Sequence, residues 1–120
     1  RYIKRTNNII NKFRYKFSFH DIKHIANKAE EILSLGNQFG EGWLIPAEIA
    51  GFAEEGINNV VSVQPFGCIA NQIISKGVEK RIKELYPDMS LLFLDFDDGA
   101  SNANILNRLH FMVNNLKNEN

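Results

Sequence analysis

The single cysteine of the chain, Cys68, is the side chain most suited to chemistry. It follows a β-branched run that ends in a Pro-Phe-Gly turn, and a helical pattern begins directly after it. Turns between a strand and a helix are where open α/β sheets place their binding sites. A thiol in the first turn of a helix lies at the positive end of the helix dipole, which favours the thiolate that binds iron or attacks an electrophile. We therefore predict that any chemical site of the chain lies at the turn residues Gln64, Pro65, Phe66 and Gly67, with Cys68 as its thiolate.

A packing role is the alternative for Cys68, because a free cysteine in a compact domain often behaves as a small buried apolar residue. The two roles differ in exposure. A ligand should open towards a cleft or a partner at the carboxyl end of the strand. A packing cysteine should be enclosed by its own helix and sheet.

An acidic turn, Asp95-Phe-Asp97-Asp98-Gly99, resembles two kinds of metal site without matching either. As a calcium loop it fails, because Gly99 stands where an oxygen ligand belongs and Leu106 stands at the bidentate Glu position. The Asp-x-Asp of haloacid-dehalogenase-like phosphatases is closer, but that family has Thr or Val where Gly99 stands, and most of its fold follows the motif. We expect the carboxylates of this turn to stabilise the N-terminus of the next helix.

Three histidines are scattered along the sequence, and two of them share a predicted helix face. His20 and His24 have the i, i+4 spacing of a metal-binding pair, but no third ligand is apparent near them and His110 is far away in sequence. We expect surface histidines here.

The loop Gly36–Gly42 carries three glycines but no nucleotide fingerprint. It lacks the Gly-Lys-Ser/Thr of a Walker loop, and Ile45 stands where the dinucleotide motif has its third glycine. Backbone amides in such a loop could hold an anion, although a connecting loop is the simpler interpretation.

Composition favours one compact domain and excludes some partners. The 120 residues include 14 Lys or Arg and 14 Asp or Glu, for a formal net charge of zero, which argues against nucleic acid or a membrane surface as the main partner. No apolar run approaches the roughly 20 residues that span a bilayer. One cysteine excludes an internal disulfide and suits the cytoplasm, where we expect the protein. The chain starts at Arg1 rather than Met, and we expect it to be a fragment of a larger protein.

Hydrophobic periodicity divides the chain into a basic N-terminal segment, residues 1–18, and a single α/β domain, residues 19–120. The segment should be helical to about Phe13 and then extended. In the domain, a capping box at residues 18–21 opens a helix that Gly36 stops in the left-handed conformation. A second helix should span Trp43–Glu55.

The rest of the pattern predicts a strand at Asn59–Val63, a helix at Cys68–Tyr86 and a nearly unbroken apolar strand at Leu91–Asp95. A last helix should follow, capped by Ser101. This order implies α/β layers: a short parallel sheet flanked by helices, with a helical crossover between the strands. Six side chains should form core contacts: Val61, Val63, Ile73, Ile82, Leu92 and Leu94.

Several motifs occur in the order of a known family. They are Leu33-Ser-Leu-Gly-Asn-Gln-Phe-Gly-Glu-Gly-Trp-Leu, Val63-Gln-Pro-Phe-Gly-Cys-Ile-Ala-Asn, Lys76-Gly-Val, Asp95-Phe-Asp-Asp-Gly-Ala-Ser and Asn107-Arg-Leu. Over about residues 33–113 the chain resembles the C-terminal region of predicted CoA-substrate-specific enzyme activases. These are large activase/dehydratase fusion proteins related to the activases of 2-hydroxyglutaryl-CoA dehydratase and benzoyl-CoA reductase.

The resemblance implies a long multidomain protein of anaerobic bacteria in which ATP hydrolysis drives an electron to an iron–sulfur cluster of a dehydratase-like module. Cys68 matches a cysteine of the family pattern and is the candidate ligand. Two departures are visible: the family commonly has Cys or Thr at Phe39 and Leu-Pro-Asn-His at residues 69–72. The ATPase motifs are absent from this sequence.

The resemblance leaves two hypotheses for the chain. As a redox module it would contribute Cys68 to a [4Fe–4S] cluster in the full-length parent, and no cluster is expected in this chain alone, since one thiolate cannot hold one. As a structural or docking domain it would contact neighbours through Gly36–Gly42 and the turn after Asp95. Its partners would be other domains of the parent, and a homo-oligomer could form.

Overall fold

The computed structural model describes residues 2–12, 19–97, 99 and 102–118. Within them, three helices precede the sheet: α1 (Tyr2–Ile10), α2 (Ile22–Ile32) and α3 (Leu44–Glu54). Strand β1 (Asn59–Pro65) leads through a π-helical segment (Ala70–Ser75) and helix α4 (Glu79–Leu85) to strand β2 (Ser90–Phe96), and helix α5 (Asn102–Asn118) follows. The predicted small α/β domain is confirmed. The extended stretch and the Ser101 cap lie outside the described residues.

The two strands pair in parallel, as the helical segment between two apolar runs predicted. Their register aligns Val61 with Leu92, Val63 with Leu94, and Gln64 with Asp95. Both strands therefore end at the same edge of the domain, which brings the turn after β1 next to the turn after β2.

The core lies on one face of this sheet. Ile49 of α3, Ile82 of α4 and Met89 form its centre, and partly buried side chains surround them, among them Val60 and Leu91. Val60 and Leu91 are register partners and so share a face of the sheet. This face is covered by α3 and α4.

The opposite face is covered over β2 only. Leu94 is buried and Leu92 is partly buried there, and α5 packs against β2. Their register partners on β1 are exposed, Val61 at 39% and Val63 at 62%. The prediction that Val61 and Val63 are core residues is wrong, because no described element packs over β1 on this face.

The crossover helix is not one continuous α-helix. It begins as the π-helical segment Ala70–Ser75 and continues as α4, whose Ile82 is fully buried as predicted. The π-helical turn directs Ala70 and Ile74 inward, and Ile73 is 66% exposed. Placing Ile73 in the core was therefore wrong, since the prediction assumed regular α-helical periodicity through this segment.

The ends of α2 also differ from the prediction. Asp21 caps the helix, with its carboxylate accepting a hydrogen bond from the Lys23 amide at 2.9 Å. The helix ends at Ile32, and Leu33 adopts an extended conformation. Gly36 has no positive φ, so it is not the left-handed stop of this helix.

Among the described residues, no helix is both long enough and apolar enough to cross a membrane.

Candidate functional site

A tight turn places Cys68 directly after the carboxyl end of β1. The Cys68 amide donates to the Pro65 carbonyl at 3.3 Å, and Gly67 between them has φ +74°. This is the arrangement of a type II turn, which requires positive φ at its third position and so favours glycine. The Cys68 carbonyl then accepts from the Gln72 amide at 2.9 Å. The thiol therefore stands where the helix begins, as predicted.

The surroundings of Cys68 are apolar and open. Cys68 itself is partly buried, whereas Phe66 is 71% exposed and Ile69 is 64% exposed. Phe66 also donates its amide to the Phe96 carbonyl at 2.9 Å, which ties the turn to the end of β2. Cys68 is thus neither enclosed by its own helix and sheet nor fully open to solvent.

Beside this turn, three polar side chains converge on one carboxylate. Asp95 Oδ1 accepts from Gln64 Nε2 at 2.5 Å and from Gln72 Nε2 at 2.6 Å. Asp95 Oδ2 accepts from Lys76 Nζ at 2.9 Å, and Lys76 also donates to Gln72 Oε1 at 2.7 Å. We call Gln64, Gln72, Lys76 and Asp95 the Asp95 cluster. It ties both strand ends to the π-helical segment, and so fixes the elements that carry the Cys68 turn.

The electrostatics of the cluster favour an ionised Asp95. The hydrogen bond from Lys76, followed by the hydrogen bond from Gln64, holds the pKa of Asp95 below its ordinary value, although burial opposes the shift. Lys76 and Asp95 also form an ion pair at the same 2.9 Å. The carboxylate therefore has its charge compensated by its neighbours.

One atom of the cluster has no partner among the described residues. Gln64 is 1% exposed, and its Oε1 is buried without a hydrogen bond. The amide cannot simply turn round, because Oε1 would then face the Asp95 carboxylate. The hydrogen bond from its Nε2 to Asp95 therefore holds Gln64, one of the predicted turn residues, in one orientation within the cluster.

The glycine loop lies at the same end of the domain as Cys68. A Cβ on Gly40 would come within 3.2 Å of the Ala70 Cβ, at the start of the π-helical segment. Gly42 has φ +36°, and a Cβ there would clash with the Asn37 carbonyl oxygen, so only glycine fits. These contacts place the Gly36–Gly42 loop on the same side of the domain as the Gln64–Cys68 turn. Of the turn after β2, Asp98, Ala100 and Ser101 lie outside the described residues.

His24 of α2 pairs with Glu54 of α3, and His20, just before α2, pairs with Glu55, just after α3. His20 Nε2 lies 2.9 Å from Glu55 Oε1, and His24 Nε2 lies 3.4 Å from Glu54 Oε2. Lys28, one turn further on, lies 2.5 Å from Glu54 Oε1. The histidines thus contribute to helix packing and lie apart from the Cys68 turn. Within the described residues, no group of three or more His, Cys, Asp or Glu side chains could hold a metal ion.

Comparisons of the chain with protein-family models, with curated proteins and with solved structures give no match. The site is therefore defined by its geometry.

Sequence reasoning found the turn but missed half of the cluster around it. Gln72 and Lys76 were overlooked because they stand on a helix that was described only by its apolar side. Their i, i+4 spacing, together with a polar residue at the end of each strand, was the available signal.

Proposed function

We propose that the chain is the C-terminal module of a CoA-ester activase/dehydratase-like iron–sulfur protein, and that it contributes Cys68 as one ligand of a [4Fe–4S] cluster. The observation that carries the proposal is the position of Cys68: it stands at the carboxyl end of a parallel strand, at the start of a helix, and only partly buried. The family in this proposal comes from the resemblance of the sequence motifs, and of their order, to the enzyme activases. The module has no catalytic activity by itself in this proposal.

The donor chemistry of the chain fits a shared site rather than a complete one. A [4Fe–4S] cluster is held by several thiolates, and the sequence contains one cysteine. Cys68 would bind one iron, and the other ligands would come from segments elsewhere in the parent. The Asp95 cluster would hold the backbone of the Cys68 turn in position.

A second candidate function, a docking domain of the same parent, is favoured by a different observation. Phe66, Ile69 and Ile73 are large apolar side chains that are each more than 60% exposed on the segment around Cys68. Exposed apolar groups that lie close together mark contact sites. In this case a neighbouring domain would cover them, and Cys68 would only pack in the contact.

Iron content of the full-length parent distinguishes the two functions. The parent is purified without oxygen as wild type, Cys68→Ser and Ile69→Asp, and iron per polypeptide is measured together with the cluster absorption. If Cys68 is a ligand, Cys68→Ser lowers the iron of the cluster or changes its spectrum while the protein remains folded. If the chain is only a docking domain, Cys68→Ser keeps its iron, and Ile69→Asp loosens the domain contact in limited proteolysis.

Phe39→Ala is a suitable control for the cluster measurement. Phe39 is also a highly exposed apolar residue, in the glycine loop, and its removal takes away no metal donor. Iron content equal to wild type in this variant, together with a loss in Cys68→Ser, would assign the effect to the thiolate.

A further inference from the structure

The hydrogen-bonding groups of β1 fall into two alternating sets. At its start, the Asn58 carbonyl accepts from Ser90, and just beyond its end the Phe66 amide donates to Phe96. Asn58 and Phe66 both have even numbers, and successive residues of a strand direct their backbone groups to opposite edges. The even-numbered residues of β1 therefore bond to β2. Asn59, Val61 and Val63 direct their N–H and C=O groups to the other edge, where the described residues supply no strand.

A groove of about 320 Å³ runs along this free edge, between β1 and α3. Successive residues Val60 to Val63 all line it, although their side chains alternate between the two faces, so the groove follows the strand edge itself. On the side of α3 it is lined by apolar residues such as Ile45 and Phe52. The groove thus offers unpaired backbone groups flanked by apolar side chains.

The charged residues that line the groove are both acidic, Glu41 and Glu48. Neither has an ion pair within the described part of the chain. Part of Glu48 is open to solvent, yet burial raises the pKa of its carboxyl. A nearby cation would therefore stabilise the ionised form of Glu48. A second copy of the chain, pairing edge to edge, would instead bring like charges together.

We propose that the free edge of β1 binds one further β-strand, an extended segment with apolar side chains and at least one Lys or Arg, supplied by another part of the parent protein. This inference rests on the proposed function, since it needs the longer protein. Backbone groups of Asn59, Val61 and Val63 would pair with the added strand. Pairing stops at Pro65, which has no N–H to donate. The added strand would also bring apolar cover towards exposed Val61 and Val63.

Residue-resolved amide hydrogen exchange tests the proposal, with an internal control in the same strand. The amides of Val60, Ser62 and Gln64 point to β2 and should be protected both in the 120-residue chain and in the full-length parent. The amides of Val61 and Val63 should exchange quickly in the 120-residue chain and about 100-fold more slowly in the parent. Fast exchange of Val61 and Val63 in the folded parent would overturn the proposal.

Charge variants and the oligomeric state complete the test. In the parent, Glu41→Lys combined with Glu48→Lys should speed exchange at Val61 and Val63 by about tenfold or more, while Glu30→Lys on the exposed side of α2 should leave it unchanged. If the 120-residue chain alone protects these amides and sediments as a dimer, the occupant is a second copy and the proposal is wrong.

The inference and the proposed function can fail separately. Exchange is measured in the parent with and without Cys68→Ser. Protected Val61 and Val63 amides together with unchanged iron in Cys68→Ser would refute the ligand role and leave the added strand intact. Loss of iron in Cys68→Ser together with fast exchange of the Val61 and Val63 amides in the parent would support the ligand role and refute the added strand.

Discussion

Replacing Asp95 by asparagine tests how much the Asp95 cluster stabilises the site. The asparagine amide can present its oxygen to the buried Gln64 Nε2 or to Lys76, but not both, so one donor loses its acceptor. We expect the oxygen to stay with Gln64, which has no access to water, while Lys76 turns to solvent and to Gln72. A hydrogen bond to a charged group contributes about 1.5–3 kcal/mol. We therefore expect Asp95→Asn to lower the free energy of unfolding by about 2 kcal/mol at pH 7, and Asp95→Ala to lower it further.

Urea denaturation followed by the fluorescence of the single tryptophan, Trp43, measures this change. With a slope of about 1.5 kcal/mol per molar urea, the midpoint should fall by about 1.3 M. Asp88→Asn is the matched control, because Asp88 is exposed on the turn before β2, and it should change the free energy of unfolding by less than about 0.5 kcal/mol.

The stability difference between wild type and Asp95→Asn should depend on pH in a defined direction. The cluster lowers the pKa of Asp95 in the folded state, so the ionised carboxylate stabilises the protein fully above its unfolded pKa, about 3.9. This stabilisation is lost as the pH falls through the lower folded pKa, where wild-type Asp95 takes up a proton and resembles asparagine. The difference between wild type and Asp95→Asn should therefore be constant above about pH 5 and shrink in strong acid. A difference near zero at pH 7, or one that persists undiminished at low pH, would refute this reasoning.

Three further tests, which use four substitutions, separate packing from charge and backbone effects. Ile82→Ala should lower the free energy of unfolding by about 3–4 kcal/mol, and Ile73→Ala by less than about 0.5 kcal/mol; equal losses in urea denaturation would contradict the burial of Ile82 and the exposure of Ile73. Lys28→Met should cost about 1 kcal/mol or less at pH 7. Because the Lys28 hydrogen bond lowers the pKa of Glu54, this cost should shrink as the pH falls through the lowered pKa, and a cost independent of pH would exclude the pair as its cause. Gly67→Ala should cost about 1–2 kcal/mol in thermal unfolding, because φ at Gly67 is +74°; an unchanged midpoint would argue against the type II turn.

The sequence was sufficient to predict the sheet and its end. Two apolar runs separated by an amphipathic segment predicted parallel strands, and the observed pairing is parallel. The Pro-Phe-Gly segment predicted a turn, and Gly67 supplies its positive φ. The positions of the strands and of the turn depend on residues close together in the chain, for which local pattern carries the information. The helical crossover between the strands then favours parallel pairing.

Burial on the sheet could not be predicted in the same way. Val61 and Leu92 share a face, as do Val63 and Leu94, and the alternation of the strands gives no sign that α5 covers β2 only. Ile73 was misplaced for a related reason, since the π-helical segment changes which residues point inward without leaving a clear sequence signal. Which element covers which face is set by contacts between distant segments.

The Asp95 cluster and the free edge of β1 divide the strand into two functional halves. Gln64, near the carboxyl end of β1, is locked to Asp95 and supports the Cys68 turn. Asn59 to Val63 have unpaired backbone groups on one edge, and Pro65 prevents an added strand from continuing towards the turn. A strand added along Asn59 to Val63 would therefore stop short of the turn and leave the cluster in place. The same parent protein could therefore both extend this sheet and bring further ligands close to Cys68, which makes the two proposals compatible while keeping their tests independent.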